Sequence, residues 1–106
     1  MNFTKRKPVS PGEMIREEFL KPMNLTQQAL ADAMGVTRRT VNEICNDKRG
    51  ITADTALMLS RVFGNSPDFW LNTQHRSDLW HAMHDKKRAT RIEKAHPVST
   101  SYPAAL

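Results

Sequence analysis

The residues of this sequence best suited to recognition chemistry lie between positions 37 and 43, which read TRRTVNE. A guanidinium can donate two parallel hydrogen bonds to guanine, an asparagine amide can pair in the same way with adenine, and a glutamate can accept from cytosine. On a helix whose buried side carries Val41, the side chains of Arg38, Arg39 and Asn42 share the opposite side. Such a surface fits the edges of base pairs, although an Arg-Arg pair is also common on an ordinary solvated surface.

Groupings that would support catalysis or metal binding are weak in this sequence. Cys45 is the only cysteine and has no histidine near it, so it is interpreted as a small buried side chain rather than a reactive thiol. His81 and His84 have a helical spacing that suits a shared metal, but no cysteine or convincing carboxylate completes a site. We therefore predict that the protein is not an enzyme and needs no metal, cofactor or small-molecule ligand.

Length and charge limit the class of partner. The chain has 106 residues, which fits one domain, and 16 basic against 11 acidic side chains give a net charge of +5. The stretch 86–106 is the most basic, with five basic side chains and one acidic one. This balance favours nucleic acid or another polyanion as partner. Because no transmembrane stretch or secretory signal is visible, we expect a cytoplasmic protein with no membrane partner.

Caps and helix-breaking residues divide the chain into five predicted helices and leave no clear strand. Each helix start has a serine or threonine cap, and these caps are Ser10, Thr26, Thr37, Thr52 and Ser66. Gly35 and Gly64 supply left-handed stops for the second and fourth helices. The first helix is expected from residue 11 to about residue 21, and the fifth from residue 67 to about residue 85.

Residues 27–46, QQALADAMGVTRRTVNEICN, have the pattern of two short helices that cross through a tight turn. Gly35 allows the chain to reverse, and Ala31 is small where the two helices would touch. The apolar positions that must be buried together are Leu30, Met34, Val36, Val41 and Ile44. Here the chain resembles the helix-turn-helix of phage-repressor-like regulators, the XRE class; a helical hairpin with no DNA role is the alternative. The predicted fold is all-α, a five-helix domain of the lambda-repressor type.

The resemblance implies where DNA would be contacted. In this class the outward residues of the third helix face bases in the major groove, and the residue that opens the second helix touches phosphate. Two basic residues in the loop after the third helix are further candidates for phosphate contacts. The predicted DNA-binding residues are Gln27, Thr37, Arg38, Arg39, Thr40, Asn42, Glu43, Lys48 and Arg49. The carboxylates of Asp32, Glu43 and Asp47 lie close by and oppose DNA binding in general.

The predicted fifth helix, which includes SPDFWLNTQHRSDLW at residues 66–80, is apolar on more than one side. At about 100° per residue, four of its apolar residues form one stripe, and Trp70 lies well away from that stripe. Such a helix needs two partners, of which one is its own domain core and the other a second copy. We predict a homodimer with contacts from Phe69, Trp70, Leu79, Trp80 and Met83. Burial of the whole helix within one monomer is the alternative.

Three longer segments narrow the resemblance. PGEMIREEFLKPMNLTQQALADAMGV, RGITADTALMLSRVFGNSPDFWLNTQ and DLW occur in the order that is typical of HigA-type antitoxins, and they cover residues 8–85 approximately. The resemblance implies a dimer that binds double-stranded operator DNA, represses its own operon and neutralises a HigB-like toxin similar to RelE-type mRNA endonucleases. A stand-alone helix-turn-helix regulator without a toxin is the alternative.

The two ends of the chain fall outside the predicted helical domain of residues 10–85. Residues 1–9 form a basic arm, whose Lys5, Arg6 and Lys7 either reach DNA or are simply solvated. Residues 86–106 are expected to form a basic tail with proline and serine, mobile overall but able to be helical in its first turns. The family resemblance assigns no role to this tail.

Overall fold

The structure, a computed structural model, describes residues 6–98, and this part of the chain contains six helices and no strand. They are α1 (Pro11–Met14), α2 (Gln27–Met34), α3 (Arg38–Cys45), α4 (Ala53–Phe63), α5 (Pro67–His84) and α6 (Lys86–Glu93). α1 continues directly into a π-helical segment, Ile15–Leu20. The predicted all-α class is confirmed. The outer parts of the predicted arm and tail, residues 1–5 and 99–106, lie outside the described range.

The five predicted caps are confirmed, because each serine or threonine hydroxyl accepts a backbone N–H in the first turn that follows it. The two glycine stops are also confirmed, since Gly35 and Gly64 end α2 and α4 in the left-handed region with φ of 76° and 79°. Helix boundaries in this chain therefore follow from local side-chain hydrogen bonds. None of the helices between residues 6 and 98 is long and apolar enough to cross a membrane.

The core lies where α1, its π-helical extension, α2, α3, α4 and the first half of α5 meet. Its largest fully buried side chains are Trp70, Ile15, Leu30, Ile44, Leu59 and Val41. Phe19 packs against the Trp70 and Phe63 rings, with centroids 5.1 and 4.6 Å away, and Phe69 meets Trp70 edge-on at 5.0 Å. This aromatic cluster joins the start of α5 to the rest of the domain and thereby fixes the direction in which α5 leaves it.

Trp70 is the main correction to the predicted contact surface. Its side chain is fully buried within a single chain, and its indole N–H donates to Asn65 Oδ1 at 2.9 Å. The prediction that Trp70 belongs to a surface contact is therefore wrong. The physical reason is that Trp70 lies well away from the Leu79 stripe, on the side of α5 that faces the core, where a large aromatic side chain removes most apolar surface from water.

The predicted helix count is also corrected, from five to six, because residues 86–93 form α6. Asp85 ends α5 and caps α6, since its carboxylate accepts the Arg88 N–H at 3.1 Å and its carbonyl accepts the Ala89 N–H at 2.8 Å. An acidic cap at a helix N-terminus is favoured by the helix dipole as well as by these bonds. None of the α6 residues is buried, so the helix depends on local interactions and on its continuity with α5.

Candidate nucleic-acid interface

α2 and α3 form a helix-turn-helix unit. α2 places Leu30, Ala31 and Met34 in the core, and α3 contributes Val41 and Ile44 to the same cluster. Ala31 is fully buried where the helices approach each other, which explains why a small side chain occupies that position. Two turn N–H groups return to the Ala31 carbonyl, from Gly35 at 2.9 Å and from Val36 at 3.0 Å. These bonds fix the turn and hence the direction of α3.

The carboxyl end of α3 is held by the beginning of α1. Gly12 lies so close to it that a Cβ atom there would be 2.5 Å from the Cys45 carbonyl oxygen and 2.7 Å from that of Ile44. Arg16 donates a hydrogen bond to the same Cys45 carbonyl. Asp47 accepts the Gly12 N–H at 2.9 Å and the Ser10 hydroxyl at 2.6 Å. α3 is therefore clamped at the end opposite its exposed arginines.

Sequence reasoning missed this clamp. From the sequence, Asp47 is only a charge that opposes DNA, whereas in the structure its two carboxylate oxygens accept from the Ser10 cap and the first turn of α1. It also adopts a left-handed conformation with φ of 57°, which aspartate tolerates better than most residues. A glycine just inside the start of a helix was the one available signal. Glycine costs helix stability there unless close packing requires it.

The outward side of α3 carries the predicted base-reading residues. Arg38, Arg39 and Asn42 are all exposed, and the side chain of Arg39 is 87% accessible. Within residues 6–98, Arg38 takes part in none of the three ion pairs, which leaves its guanidinium available. Asn42 donates from Nδ2 to Gln27 Oε1 at 3.1 Å. The first residue of α2 and the middle of α3 are therefore brought together on one surface.

The two threonines of the predicted set have a structural use. The Thr37 hydroxyl accepts the Thr40 N–H at 3.1 Å and lies 2.9 Å from the Thr40 hydroxyl, and this pair fixes the first turn of α3. Lys48 is exposed in the loop after α3 and is absent from the ion pairs of the described residues. The structure thus brings together Gln27, the outward residues of α3 and the following loop on one polar surface, which we call the α3 face.

Glu43 links two of the candidate cations. Its Oε1 atom accepts from Arg49 Nη2 at 2.8 Å and from Nε at 3.2 Å, and its Oε2 atom lies 3.8 Å from Arg39 Nε. The hydrogen bond from Arg49 is the main reason why the pKa of the Glu43 carboxyl is below its usual range, with smaller effects from the nearby positive charges. Glu43 therefore remains ionised at neutral pH and neutralises part of the α3 face.

We expect Glu43→Gln to raise affinity for DNA of any sequence by about three- to tenfold, because Arg39 and Arg49 lose their anionic partner and become free to bind phosphate. The dependence of log affinity on log salt should also steepen. Fluorescence anisotropy with a random duplex at several salt concentrations measures both effects. Glu17→Gln is the matched control, since it removes an exposed carboxylate that pairs with Lys21 and is not part of the α3 face. Equal effects of the two substitutions would contradict the assignment.

The predicted dimer residues fall into two groups. Phe69 and Trp70 pack within the aromatic core of one chain. Leu79 and Met83, in contrast, are 42% and 44% exposed on the second half of α5. Trp80 is half-buried beside them, stacked on His84 with ring centroids 4.1 Å apart and with the Lys7 ammonium 5.7 Å from its ring. The second half of α5 is thus the part that presents unpartnered apolar surface.

The cysteine and the two histidines that could act as a nucleophile or as metal ligands are buried or hydrogen-bonded. Cys45 is fully buried, and this burial raises the pKa of its thiol, so a thiolate is disfavoured. His81 and His84 bring their Nδ1 atoms to within 2.7 and 2.8 Å of the backbone carbonyls of Ser77 and Trp80. Over residues 6–98, no three metal-ligating side chains lie close enough together to hold an ion.

Known proteins match both the sequence and the fold. The family model described as helix-turn-helix matches residues 15–70. Antitoxin HigA-1 of Vibrio cholerae serotype O1 is 54% identical over 80 residues, which cover 76% of this chain and 75% of that protein. The structure of Pseudomonas aeruginosa antitoxin HigA with the higBA promoter superposes with a TM-score of 0.77 at 38% identity, over 87% of this chain and 99% of that one. The structure of antitoxin GraA in complex with its operator superposes with a TM-score of 0.81 at 37% identity, over 93% of this chain and 99% of that one.

The clamped α2–α3 unit and its outward polar residues define a helix-turn-helix protein of the phage-repressor class, a regulator rather than an enzyme. Within this class, the chain belongs to the HigA antitoxin family.

Proposed function

We propose that this protein binds operator DNA through its α3 face and represses its own operon as the antitoxin of a toxin–antitoxin pair. The observation that carries the proposal is the exposure of Arg38, Arg39 and Asn42 on a helix that is clamped at its other end. A fixed helix can insert into the major groove without reordering, and these side chains can bond guanine and adenine edges. Two similar proteins are known in complex with a promoter or an operator. Repression of this kind requires a cytoplasmic location.

Dimerisation is the second part of the proposal. The exposed Leu79 and Met83 are four residues apart on α5 and form one apolar strip that a second copy can cover. A two-fold dimer would present two copies of α3, so we expect operator half-sites with two-fold symmetry and a spacing of about 34–36 Å or a multiple of it. Hydroxyl-radical footprints without such symmetry would contradict the dimer.

Leu79→Glu should weaken the dimer by at least about tenfold, because it places a charge in the centre of the apolar strip. The residue is 42% exposed, so the monomer itself should fold normally. Sedimentation at several protein concentrations, in the absence of DNA, measures the change. Leu57→Glu is the matched control, since Leu57 is 54% exposed on α4. A dimer that tolerates Leu79→Glu as well as it tolerates Leu57→Glu would remove α5 from the interface.

Toxin neutralisation is the third part, and membership of an antitoxin family supports it. The test is to induce the small reading frame that adjoins this gene, with and without this protein supplied from a second plasmid. Growth arrest that this protein relieves is the expected result. No arrest, or arrest that it does not relieve, would favour a stand-alone transcriptional regulator, which shares the α3 face but has no toxin partner.

A further inference from the structure

α6 carries a basic stripe that the α3 face does not include. Lys87 and Arg91 of α6 and Lys94, which caps the end of the helix, are spaced by four and then three residues, so they lie along one side. All three are exposed, and none belongs to an ion pair among residues 6–98. Like charges at this spacing destabilise a helix, and a bound anion would remove that repulsion. Ile92 is 53% exposed and lies outside this stripe, which leaves the stripe free even if Ile92 is covered by a second copy.

Positive charge from the other end of the chain reaches the same region. The Lys7 ammonium lies over the Trp80 ring at 5.7 Å, near the end of α5 that leads into α6. Lys7 therefore lies beside the second half of α5, the helix that α6 follows along the chain.

A groove runs from Lys7, beside the second half of α5, to the loop after α3. Its volume is about 510 Å³, and its lining includes Lys7 and His81 together with Arg49 from the loop after α3. It also contains carboxylates: Asp47 accepts from Ser10 and Gly12, and Asp78 accepts from Gln74 Nε2 at 2.9 Å, so both are fixed in position while they keep their negative charge. The remaining carboxylate, Glu13, lies at the solvent-exposed edge. The groove thus joins Lys7 and the proposed phosphate contact at Arg49 along one continuous surface.

We propose that α6, together with Lys7, is a second binding site for DNA phosphates, separate from the α3 face and independent of base sequence. The inference rests on the proposed operator binding and adds contacts outside the base pairs that α3 reads. Duplex DNA is the occupant that fits, because an extended row of phosphates matches a row of unpaired cations along a helix. Lysine and arginine side chains without a fixed geometry provide affinity there but not base selection.

The test is a charge-neutralised variant, Lys87→Gln, Arg91→Gln and Lys94→Gln, which keeps good helix-forming residues in α6. Its matched control is Lys21→Gln, Arg61→Gln and Arg76→Gln, which removes the same charge from exposed positions outside α6. Affinity is measured against salt on an operator duplex and on a random duplex. We expect the slope of log affinity against log salt to become shallower by about 2–3 per protomer, and hence by about 5 for the proposed dimer, when the α6 variant binds either duplex, and to stay near the wild-type value for the control.

Three outcomes would overturn the inference. One is an α6 variant whose slope of log affinity against log salt equals that of the wild type. Another is a control variant whose slope becomes as shallow as that of the α6 variant. The third is an α6 variant that binds DNA as the wild type does but no longer relieves growth arrest by the toxin. That result would mean that α6 contacts an acidic protein surface instead of DNA. Failure of the underlying proposal has a different signature: the wild-type protein would show no preference for the operator over the random duplex.

Discussion

Gly12→Ala should lower the Tm by more than about 10 °C and weaken operator binding at the same time, because the new methyl group collides with the end of α3, the helix proposed to contact bases. The colliding atoms are the backbone carbonyl oxygens of Cys45 and Ile44, at 2.5 and 2.7 Å, and backbone atoms cannot rotate away as a side chain can. The Asp47 hydrogen bond to the Gly12 N–H would be stretched as well. Together these effects should cost about 3 kcal/mol or more in the free energy of unfolding.

Thermal unfolding and operator affinity of the same Gly12→Ala sample measure both effects. Gly50→Ala is the matched control, since a Cβ atom there would meet only the side chain of Gln74, at 3.4 Å. Its Tm should remain within a few degrees of the wild type. If Gly12→Ala kept the wild-type Tm, the close approach of α1 to α3 would not hold the helix in place.

Arg38→Ala should weaken operator binding by about 1–3 kcal/mol and relax the preference for one base pair in each half-site. The side chain is exposed at the start of α3 and takes part in no ion pair of the described residues, so none of its binding capacity is used within the protein. Arg39 differs in that Glu43 lies 3.8 Å from its Nε atom, and part of its interaction with DNA must first displace that carboxylate. Arg39→Ala should therefore have a smaller effect than Arg38→Ala.

Binding to a panel of operators with single base-pair changes distinguishes a base contact from a phosphate contact. Arg38→Lys is the informative companion, because it keeps the charge but loses the paired donors of the guanidinium. If Arg38 contacts a base, the lysine variant should bind the operator about as weakly as the alanine variant does. If Arg38→Ala weakened operator and random duplexes equally, Arg38 would be assigned to the phosphate backbone instead.

Local features of this fold could be predicted from the sequence, and contacts between distant residues could not. Thr37 and Gly35 act through hydrogen bonds and backbone angles within a few positions of themselves, so their effect is visible in the residues alone. The clamp depends on Asp47, which meets Gly12 across 35 positions. No periodicity or cap signals such a contact, since it exists only after α1 and α3 have packed together.

For α5 too, the sequence does not reveal a contact between distant residues, namely the packing of one side of the helix against the core. Helical periodicity correctly separated Trp70 from the Leu79 stripe, but it assigns angles around a helix without saying which side faces the core. Only the aromatic contacts of Phe19 and Phe63 identify that side. For α6 the sequence predicts only that the first turns of the tail can be helical, because the helix buries no residue and so has no apolar stripe that would mark its full length. The predicted DNA-binding residues stay predictions until variants are measured.

Because this chain has a single cysteine, the rate of thiol modification can report local opening of the protein. Cys45 is fully buried at the last turn of α3, and no other thiol is present to compete with it. A thiol reagent can therefore modify the protein only when that turn opens, and the rate of modification counts those openings in an unlabelled, unmutated molecule. Adding operator should slow the reaction to the extent that DNA holds the turn closed. The rate would thus give the free energy of opening the last turn of α3 while the rest of the domain stays folded.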